Sequence, residues 1–387
     1  MSGEPLATAA PGKDSTADIT QDDNTTLYWS QWSLTWWKFK QHKLAMVSGI
    51  ILCLFYLIAI FAEFFSTTDP HAYNSRFTFA PPQGIHLFQA DESGWRWSPH
   101  VNGYVSTTDP NTLRRTFEID EETIIPIGFF VEGPDYRLAG LIPWNRYIIG
   151  TVDPADPFFL LGSDRLGRDV YSRIVHGARV SLSIGLIGVV ISLVIGIAFG
   201  AIAGFYGGTI DSIIQRMTEF LISLPTIPLW MGLAAAIPLT WDPIAVYFLI
   251  TIILSLLGWT QLARQIRGLF MSIKNEDYVM AARLDGSGEM RVIFRHMVPA
   301  FTSHIVASVT LAVPAMILAE TALSFLGIGL RSPVVSWGVL LQEAQNIRTL
   351  ANASWLLWPG AAVITAVLAL NFLGDGLRDA ADPYGNN

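Results

Sequence analysis

Charged residues and cysteines are both scarce in this sequence of 387 residues. Only 14% of the residues are Asp, Glu, Lys or Arg, against roughly 25% in an ordinary soluble domain, so the composition argues against a soluble enzyme. The single cysteine, Cys53, excludes an intrachain disulfide. The formal net charge is -8, and no excess of basic residues points to nucleic acid as a partner.

Motifs for catalysis and nucleotide binding are also missing. A phosphate-binding loop needs the pattern G-x-x-x-x-G-K-[ST], but the only Gly-Lys pair, Gly12-Lys13, is followed by Asp14 and has Ala7 at the position of the first glycine. HExxH, CxxC and GxSxG motifs are absent as well. We therefore expect no enzymatic activity, no cofactor and no metal site in this chain. If it takes part in ATP-driven transport, the ATPase is another chain.

Apolar residues, in contrast, are abundant and occur in long runs. A helix that crosses a bilayer needs about 20 apolar residues, and five long stretches contain no Asp, Glu, Lys or Arg: 44–62, 180–210, 220–241, 243–263 and 349–374. A sixth stretch, 299–319, is interrupted only by His304 and continues past Glu320. The sequence therefore predicts an all-α polytopic membrane protein with six transmembrane helices. Pro225, Pro228 and Pro238 are expected to bend or interrupt the third.

The positions of the lysines predict the orientation of the chain. Lys38, Lys40 and Lys43 directly precede the first predicted span, and short basic flanks stay in the cytoplasm. The N-terminus is therefore expected inside, and six spans place the C-terminus inside too. The basic loop 259–299 is cytoplasmic in the same assignment.

Composition also suggests the segment boundaries. Residues 1–27 are expected to form a disordered acidic tail, 28–65 an interfacial segment and the first helix, and 66–160 a small β-rich external domain between helices 1 and 2. An amphipathic external segment, 161–179, then precedes the core of five helices, 180–374, and a cytoplasmic tail, 375–387. Within the external domain, strands are predicted at 116–119, 124–132 and 136–142, with Gly133, Pro134 and Asp135 as a turn.

The amphipathic segment and one acidic residue are candidates for an external site. Val170 and Ile174 recur at helical spacing, and Asp169 and Arg173 are four residues apart, which predicts an ion pair on a short helix at the outer membrane interface. The alternative is a solvated turn with no role beyond topology. Glu320, near the outer end of the fifth span, is either a gate or substrate-path carboxylate or an interfacial acid bonded to neighbouring backbone.

The loop between spans four and five predicts two helices joined by a turn. Asn275 can cap the first helix, and Gly286 can end it in a left-handed conformation. Ala281 and Ala282 are small, so the surface of a partner can approach the backbone closely. An apolar stripe predicts the second helix: Met290, Ile293, Phe294 and Met297.

Residues 278–286, Tyr-Val-Met-Ala-Ala-Arg-Leu-Asp-Gly, followed by Phe-Arg-His-Met-Val-Pro at 294–299, resemble the EAA loop of ABC importer permeases, E-A-A-x3-G-x9-I-x-L-P. Met280, His296 and Val298 stand where this pattern has Glu, Ile and Leu. The resemblance implies coupling to an ATPase through the following residues: Met280, Ala281, Ala282, Arg283, Asp285 and Gly286.

Two further regions resemble the oligopeptide, dipeptide and nickel class of these permeases. They are residues 161–182, beginning Leu-Gly-Ser-Asp, and the C-terminal half, with Glu-Thr-Ala-Leu-Ser-Phe-Leu-Gly at 320–327 and Asn-Phe-Leu-Gly-Asp-Gly-Leu-Arg-Asp at 371–379. The enlarged external domain is similar to that of the Yej-like subgroup of C-type permeases. The resemblance implies the type I importer permease fold and external gate or docking residues: Asp164, Gly167, Arg168, Asp169, Arg173, Arg179 and Glu320.

The same resemblance implies a function and a set of partners. The chain is expected to be the permease subunit of an ATP-driven importer in the inner membrane of a bacterium, working by alternating access. The implied partners are a second homologous permease in a heterodimer, two ATPase subunits that bind ATP and Mg²⁺, an external solute-binding protein and membrane lipid. Peptides are the first expectation for the substrate; oligosaccharides such as α-galactosides, opines and nickel complexes are alternatives. A secondary transporter or channel, or a membrane-anchored sensor, does not account for the loop motif.

Overall fold

The computed structural model describes residues 31–91, 94–108, 110, 115–238 and 240–381. The predicted acidic tail, 1–27, lies outside these residues. The helices in chain order are α1 (Gln31–Gln41), α2 (Lys43–Ile60), α3 (Ala62–Phe65), α4 (Val170–Tyr206), α5 (Gly208–Ser223), α6 (Thr226–Ala235), α7 (Pro243–Ile273), α8 (Asp277–Leu284), α9 (Glu289–Arg291), α10 (Thr302–Phe325), α11 (Trp337–Glu343), α12 (Ile347–Asn352) and α13 (Trp358–Ala381).

Five helical segments in the described part of the chain are long and apolar enough to cross a membrane: Lys43–Ile60, Val170–Tyr206, Pro243–Ile273, His304–Phe325 and Ser354–Ala380. Helices α5 and α6 together form a sixth candidate, bent by 83°. Pro225 occupies the N-cap position of α6 at this bend, where its missing N–H cannot continue the hydrogen bonding of α5. The chain is therefore a helical polytopic membrane protein, and the predicted interruption of the third span lies at Pro225.

Two spans have ends that differ from the prediction. No separate amphipathic helix precedes the second span, because one helix, α4, runs from Val170 to Tyr206. Ser172 and Arg173 in its first turn are buried within the chain, since this end packs against α3 and α11. At the other end of the chain, residues 375–381 extend helix α13 instead of forming a tail.

Helices α4 and α7 approach each other closely. Gly196, Gly200 and Gly204 recur every fourth residue along α4. A Cβ atom added at Gly200 would lie 2.6 Å from the carbonyl oxygen of Ala263, and one added at Gly204 would lie 2.8 Å from that of Arg267. Small residues at this spacing allow membrane helices to pack backbone against backbone, so α4 and α7 form a tightly joined pair. The main apolar core surrounds this pair and includes Leu52, Leu182, Leu254, Ile317, Trp337 and Leu370.

A four-stranded antiparallel sheet lies between α3 and α4 in the chain. Its strands, β1 (His86–Asp91), β2 (Gly94–Thr108), β3 (Arg115–Leu138) and β4 (Ile142–Thr151), pair in chain order. β1, β2 and most of β4 were not predicted. The predicted strands at 116–119 and 124–132 are parts of the single long strand β3, which also includes 136–138 of the predicted strand 136–142.

The predicted turn at Gly133, Pro134 and Asp135 is wrong. Glu132 pairs with Arg146 and Tyr136 with Trp144, so β3 advances four positions while β4 advances two. The additional residues form a bulge, which accommodates Pro134 because a proline cannot donate a hydrogen bond to the ladder. The turn of the hairpin lies further on, at Ala139 and Gly140, which have φ values of 50° and 75°.

The sheet has a small core of its own and is attached to the helices at α3. Val101, Ile125, Ile127 and Phe158 form the buried cluster beside the sheet. Helix α3, which follows the first span, packs against β3 and β4. The sheet is therefore held close to the end of α2.

Candidate functional site

Residues 277–301, between α7 and α10, form a helix, a glycine turn and a second helical segment, which we call the elbow. Its first helix, α8, has eight residues, fewer than the predicted ten or so. Glu276, not Asn275, occupies the N-cap position, and its side chain makes no capping hydrogen bond. The cap prediction is therefore wrong, although the helix itself is present.

The end of α8 agrees with the prediction. Gly286 has φ +74°; its N–H donates to the Arg283 carbonyl at 3.0 Å, and the Ser287 N–H donates to the Ala282 carbonyl at 3.2 Å. These two bonds define a Schellman motif, in which the residue of positive φ is usually glycine. A Cβ at Gly286 would meet nothing within 4 Å, so the backbone conformation alone selects glycine here.

The second part of the elbow is not the regular amphipathic helix that was predicted. A single helical turn, α9, leads into a π-helix, Val292–Met297, and then a 3-10 turn, Val298–Phe301. Because a π-helix places more residues in each turn, the predicted stripe does not stay on one face. Ile293 and Met297 are buried, whereas Met290 and Phe294 are 58% and 50% exposed.

The inner face of the elbow packs on the ends of α4 and α7. Val279 and Ala282 of α8 share a buried cluster with Phe205 of α4, Phe270 of α7 and Ile293. Ala282 is only 7% exposed, so its small side chain is explained by packing within this chain. This differs from the expectation that Ala282, like Ala281, faces a partner.

The outer face of the elbow exposes apolar side chains. Met280 is 46% exposed and Leu284 is 85% exposed; the four-residue spacing places them on one side of α8. Ala281 lies exposed between them, and Met290 and Phe294 add to the same kind of surface. Contiguous exposed apolar residues mark interaction sites. Leu284 was missed, although its spacing from Met280 could have revealed it.

Polar groups tie the elbow to α4. The guanidinium of Arg283 lies 4.6 Å from the centre of the Phe205 ring, a cation–π contact. The hydroxyl of Tyr206 donates to Glu289 at 2.6 Å. Arg283 is therefore already engaged within the chain, whereas Asp285 is exposed.

At the other end of α4, two acids and two arginines form a buried cluster, the polar network. Asp164 accepts hydrogen bonds from Arg168 at 2.6 Å and from Arg173. Glu343 of α11 accepts from the same arginines at 2.9 and 3.2 Å. The predicted pair of Asp169 and Arg173 is wrong, because Arg173 turns to Asp164 and Glu343. Glu343 is 170 residues away from Arg173, so no local pattern could have identified it.

Asp169 has a separate role as the cap of α4. Its carboxylate accepts from the Ser172 N–H at 2.8 Å and from the Thr67 hydroxyl at 2.7 Å. Burial raises the pKa of the Asp169 carboxyl, and the hydrogen bonds from Ser172 and Thr67 oppose that shift. Gly167 has φ +71°, and a Cβ there would overlap the Asn74 carbonyl oxygen at 1.9 Å. Both residues therefore fix the path of the chain into the helix.

Arg179 joins α4 to the end of the first span. It donates to both carboxylate oxygens of Glu63, at 2.6 and 2.8 Å, and to the carbonyl oxygens of Ala59 and Ile60, each at 2.8 Å. Burial opposes ionisation of Glu63, but the hydrogen bond and charge of Arg179 outweigh it and lower the pKa of the Glu63 carboxyl. This contact joins α4 to the last turn of α2 and to α3.

Glu320 is buried in α10 and does not line an accessible surface. Its carboxylate accepts hydrogen bonds from the hydroxyls of Ser324 at 2.9 Å, Ser336 at 2.8 Å and Ser181 at 3.2 Å. The alternative of an interfacial acid bonded to backbone is therefore wrong, because the donors are side-chain hydroxyls and the group is interior. Glu320 thus connects α10, α4 and the start of α11.

Comparison with protein families gives two matches. Residues 196–384 match the family described as the binding-protein-dependent transport system inner membrane component. Residues 30–82 match the N-terminal transmembrane domain of oligopeptide transport permease C. The elbow lies inside the first match, and the sheet lies between the two.

Individual relatives agree with these matches. The oligopeptide transport system permease protein OppC of Bacillus subtilis (strain 168) is 30% identical over 360 residues, which are 92% of this chain and 92% of the relative. The dipeptide transport system permease protein DppC of the same organism is 38% identical over 231 residues, 59% of this chain and 69% of the relative. A di/tripeptide transport system permease protein DppC of Pseudomonas aeruginosa (strain UCBPP-PA14) is 40% identical over 227 residues, 58% of this chain and 72% of the relative.

Proposed function

Because the chain belongs to the family of peptide-transport permeases that form the inner membrane component of binding-protein-dependent transport systems, we propose that it imports peptides delivered by an external solute-binding protein. As a member of this family it is the permease subunit of an ABC importer, a translocation component and not an enzyme. The names of its relatives, which refer to oligopeptides, dipeptides and di/tripeptides, support peptides ahead of oligosaccharides, opines and nickel complexes.

The observation that carries the coupling mechanism is the division of the elbow into two faces. The inner face packs on α4 and α7, and the outer face leaves Met280, Ala281 and Leu284 exposed. In our proposal the outer face seats in a groove of an ATPase subunit, with Asp285 at its edge and Gly286 setting the turn. Two such subunits bind ATP and Mg²⁺, and their closure moves the elbow together with the two helices beneath it.

We assign the polar network and the sheet to the external side. The lysines before α2 support cytoplasmic termini, and a second, homologous permease is proposed to complete the pathway in a heterodimer. Asp164, Gly167, Arg168, Asp169, Arg173 and Arg179 then maintain the external end of the permease. In this arrangement Glu320 holds three helices together and does not touch the substrate.

The sheet is proposed to help dock the solute-binding protein. Trp95 and Trp97 are 79% and 58% exposed, which offers aromatic surface of the kind enriched at interfaces. Tyr104 does not contribute, because its ring packs among Phe77 and Phe159. The alternative is a stabilising cap on the partner permease.

The coupling proposal is tested by Leu284→Asp in the complete importer, reconstituted with its ATPases and binding protein. We expect normal insertion and assembly but loss of substrate-stimulated ATP hydrolysis and peptide uptake. Val152→Asp is the control, because Val152 is 62% exposed but lies just after β4, away from the elbow. Unchanged substrate-stimulated ATP hydrolysis in Leu284→Asp would contradict the proposed contact between the elbow and the ATPase. ATP hydrolysis by the purified chain alone would contradict its assignment as a translocation component.

Two further experiments test the substrate and the docking surface. Uptake of a labelled tripeptide should be inhibited by other peptides. Inhibition by sugars and not by peptides would place oligosaccharides ahead of peptides as the substrate.

Replacing residues 86–151 by a short linker should weaken association of the binding protein while membrane assembly persists. This deletion keeps Thr67, whose contact with Asp169 holds the start of α4. Unchanged association would favour the capping role.

A further inference from the structure

The β3–β4 hairpin ends in an apolar tip. Leu141 is 82% exposed, Ile142 57% and Trp144 44%. Tight hairpin turns are usually built from Gly, Asn and Asp, so a leucine as exposed as Leu141 is not needed to form the turn. The three side chains lie within four residues, which makes the tip a concentrated apolar surface.

Contacts place this tip beside the end of the first membrane span. The N–H of Ala139, in the turn, donates to the Glu63 carboxylate at 3.4 Å. The ring of Phe130, earlier on the same strand β3, lies 5.9 Å from that of Phe64. Glu63 and Phe64 belong to α3, which starts two residues after the span ends at Ile60. The turn of the hairpin therefore lies beside α3, directly after the first candidate span.

The first candidate span, which ends next to the tip, also exposes apolar side chains. Helix α2 leaves Leu54, Leu57 and Ile60 exposed, by 53%, 44% and 53%, along a segment that is apolar enough to cross a membrane. These residues recur every third position and lead directly to α3. The apolar tip therefore continues the exposed apolar surface of α2 beyond the end of the span.

The composition of the tip fits insertion into the boundary between headgroups and acyl chains. Leucine and isoleucine bury in the apolar side of this boundary, and tryptophan is enriched at headgroup level. Arg137, exposed on β3 opposite Pro143, supplies a cation that can contact lipid phosphates.

We propose that the tip, residues 138–144, inserts into the leaflet next to the end of α2 and anchors the sheet to lipid. The proposal rests on the proposed function only in naming that leaflet the outer one. The anchor gives the sheet two attachments, one to α3 and one to the bilayer, so the sheet keeps a fixed orientation above the membrane. This lipid contact is independent of whether the sheet docks a binding protein.

Lipid-restricted quenching tests the insertion directly. In a Cys53→Ala background, which removes the chain's only cysteine, Leu141→Cys is labelled with an environment-sensitive NBD fluorophore. The full chain, purified with its partner subunits, is placed in phosphatidylcholine nanodiscs with or without 5-doxyl phosphatidylcholine. Trp95→Cys is the matched control, because Trp95 is equally exposed at 79% but lies on the β1–β2 hairpin. Nanodiscs expose both membrane faces, so the result does not depend on the orientation of the chain.

We expect the label at position 141 to emit at shorter wavelength than the label at 95, to lose intensity with the doxyl lipid and to resist aqueous iodide. The label at 95 should show the reverse pattern. Iodide quenching at 141 equal to that at 95, without an effect of the doxyl lipid, would overturn the proposal. Protection of position 141 from both quenchers would also overturn it, because it would mean that protein covers the tip. Neither result would affect the coupling experiment on Leu284.

Discussion

The two ends of helix α4 are surrounded by opposite kinds of interaction. At its start, Arg173 and its acidic partners are buried and bonded to one another within the chain. At its end, Phe205 packs on the elbow, whose outer face leaves Met280 and Leu284 exposed. The first end is held in one arrangement by its own residues, whereas the second provides apolar surface that another protein can bury. Under the proposed function, we expect the network end to affect mainly stability and the elbow to affect mainly coupling.

The largest expected effect comes from breaking the polar network. Arg173→Met removes the cation and leaves Asp164 and Glu343 facing Arg168 alone, and loss of one partner of a buried ion pair typically costs about 3 to 5 kcal/mol. The control, Arg146→Met, removes an exposed pair with Glu132 of 2.7 Å, which should cost about 0 to 1 kcal/mol. Thermal unfolding of the detergent-purified chain measures both. Equal shifts in Tm would contradict the importance assigned to burial.

Neighbouring alanines at the elbow separate stability from coupling. Ala282→Trp forces a large side chain into the cluster with Phe205 and Phe270, and overpacking costs about 1 to 3 kcal/mol, so unfolding should shift to lower temperature. Ala281→Trp changes an exposed position. It should leave the unfolding temperature unchanged and, by costing about 1 to 3 kcal/mol at the proposed ATPase contact, reduce stimulated ATP hydrolysis by roughly 5- to 150-fold. The same unfolding shift in both variants would remove the distinction between the two faces.

Substitutions at Gly286 test the effect of backbone conformation alone, because a side chain there would meet no neighbouring atom. Gly286→Val must adopt the φ of +74°, and a left-handed conformation costs about 1 to 2 kcal/mol for a residue with a side chain. Gly286→Asn should lose less, since asparagine also occurs at this helix position. Unfolding temperature and stimulated hydrolysis should both rank Gly, Asn, Val from highest to lowest. Equal behaviour of Asn and Val would argue against the conformational explanation.

The smallest effect concerns the contact between Arg179 and Glu63. Because the pKa of Glu63 is lower in the folded chain, ionised Glu63 stabilises the fold above its unfolded pKa, and this contribution is lost as pH falls through the folded value. Glu63→Gln should therefore be less stable than the original chain by about 0 to 1 kcal/mol at neutral pH. The difference in Tm should vanish as the pH is lowered below about 4. A difference that grows in acid would contradict the assigned sign.

The membrane helices could be predicted because a single physical requirement determines them. A span needs a long apolar run, and the runs starting at Leu44 and Pro243 are visible without any tertiary information. The break at Pro225 was equally local. The position of Gly286 followed from helix-ending chemistry, and its positive φ agrees.

The features that were missed depend on residues distant in sequence. Pro134 suggested a turn, but pairing of β3 with β4 on both sides converts it into a bulge. The size of Ala282 suggested contact with a partner, whereas the packing of α8 on Phe270 turns that residue inward. The partners of Glu320 include Ser181, 139 positions away. Residue type indicates which groups can interact, but only tertiary packing decides which face and which partner each one has.

Helix α4 has 37 residues, and at 1.5 Å per residue it is about 55 Å long. It is continuous from the cap at Asp169 to Tyr206. It contacts α7 along most of its length, from the hydrogen bond of the Tyr247 hydroxyl to Ser183 to the close backbone approach at Gly204. Two helices joined in this way resist bending, since bending one would require stretching the other. A displacement of the elbow is therefore expected to tilt α4 and α7 together as a rigid body. The size of the movement at the far end then depends on where along the pair the rotation axis lies. Paired spin labels at the two ends of α4 would then keep a constant separation throughout the transport cycle while both change their distance to α13.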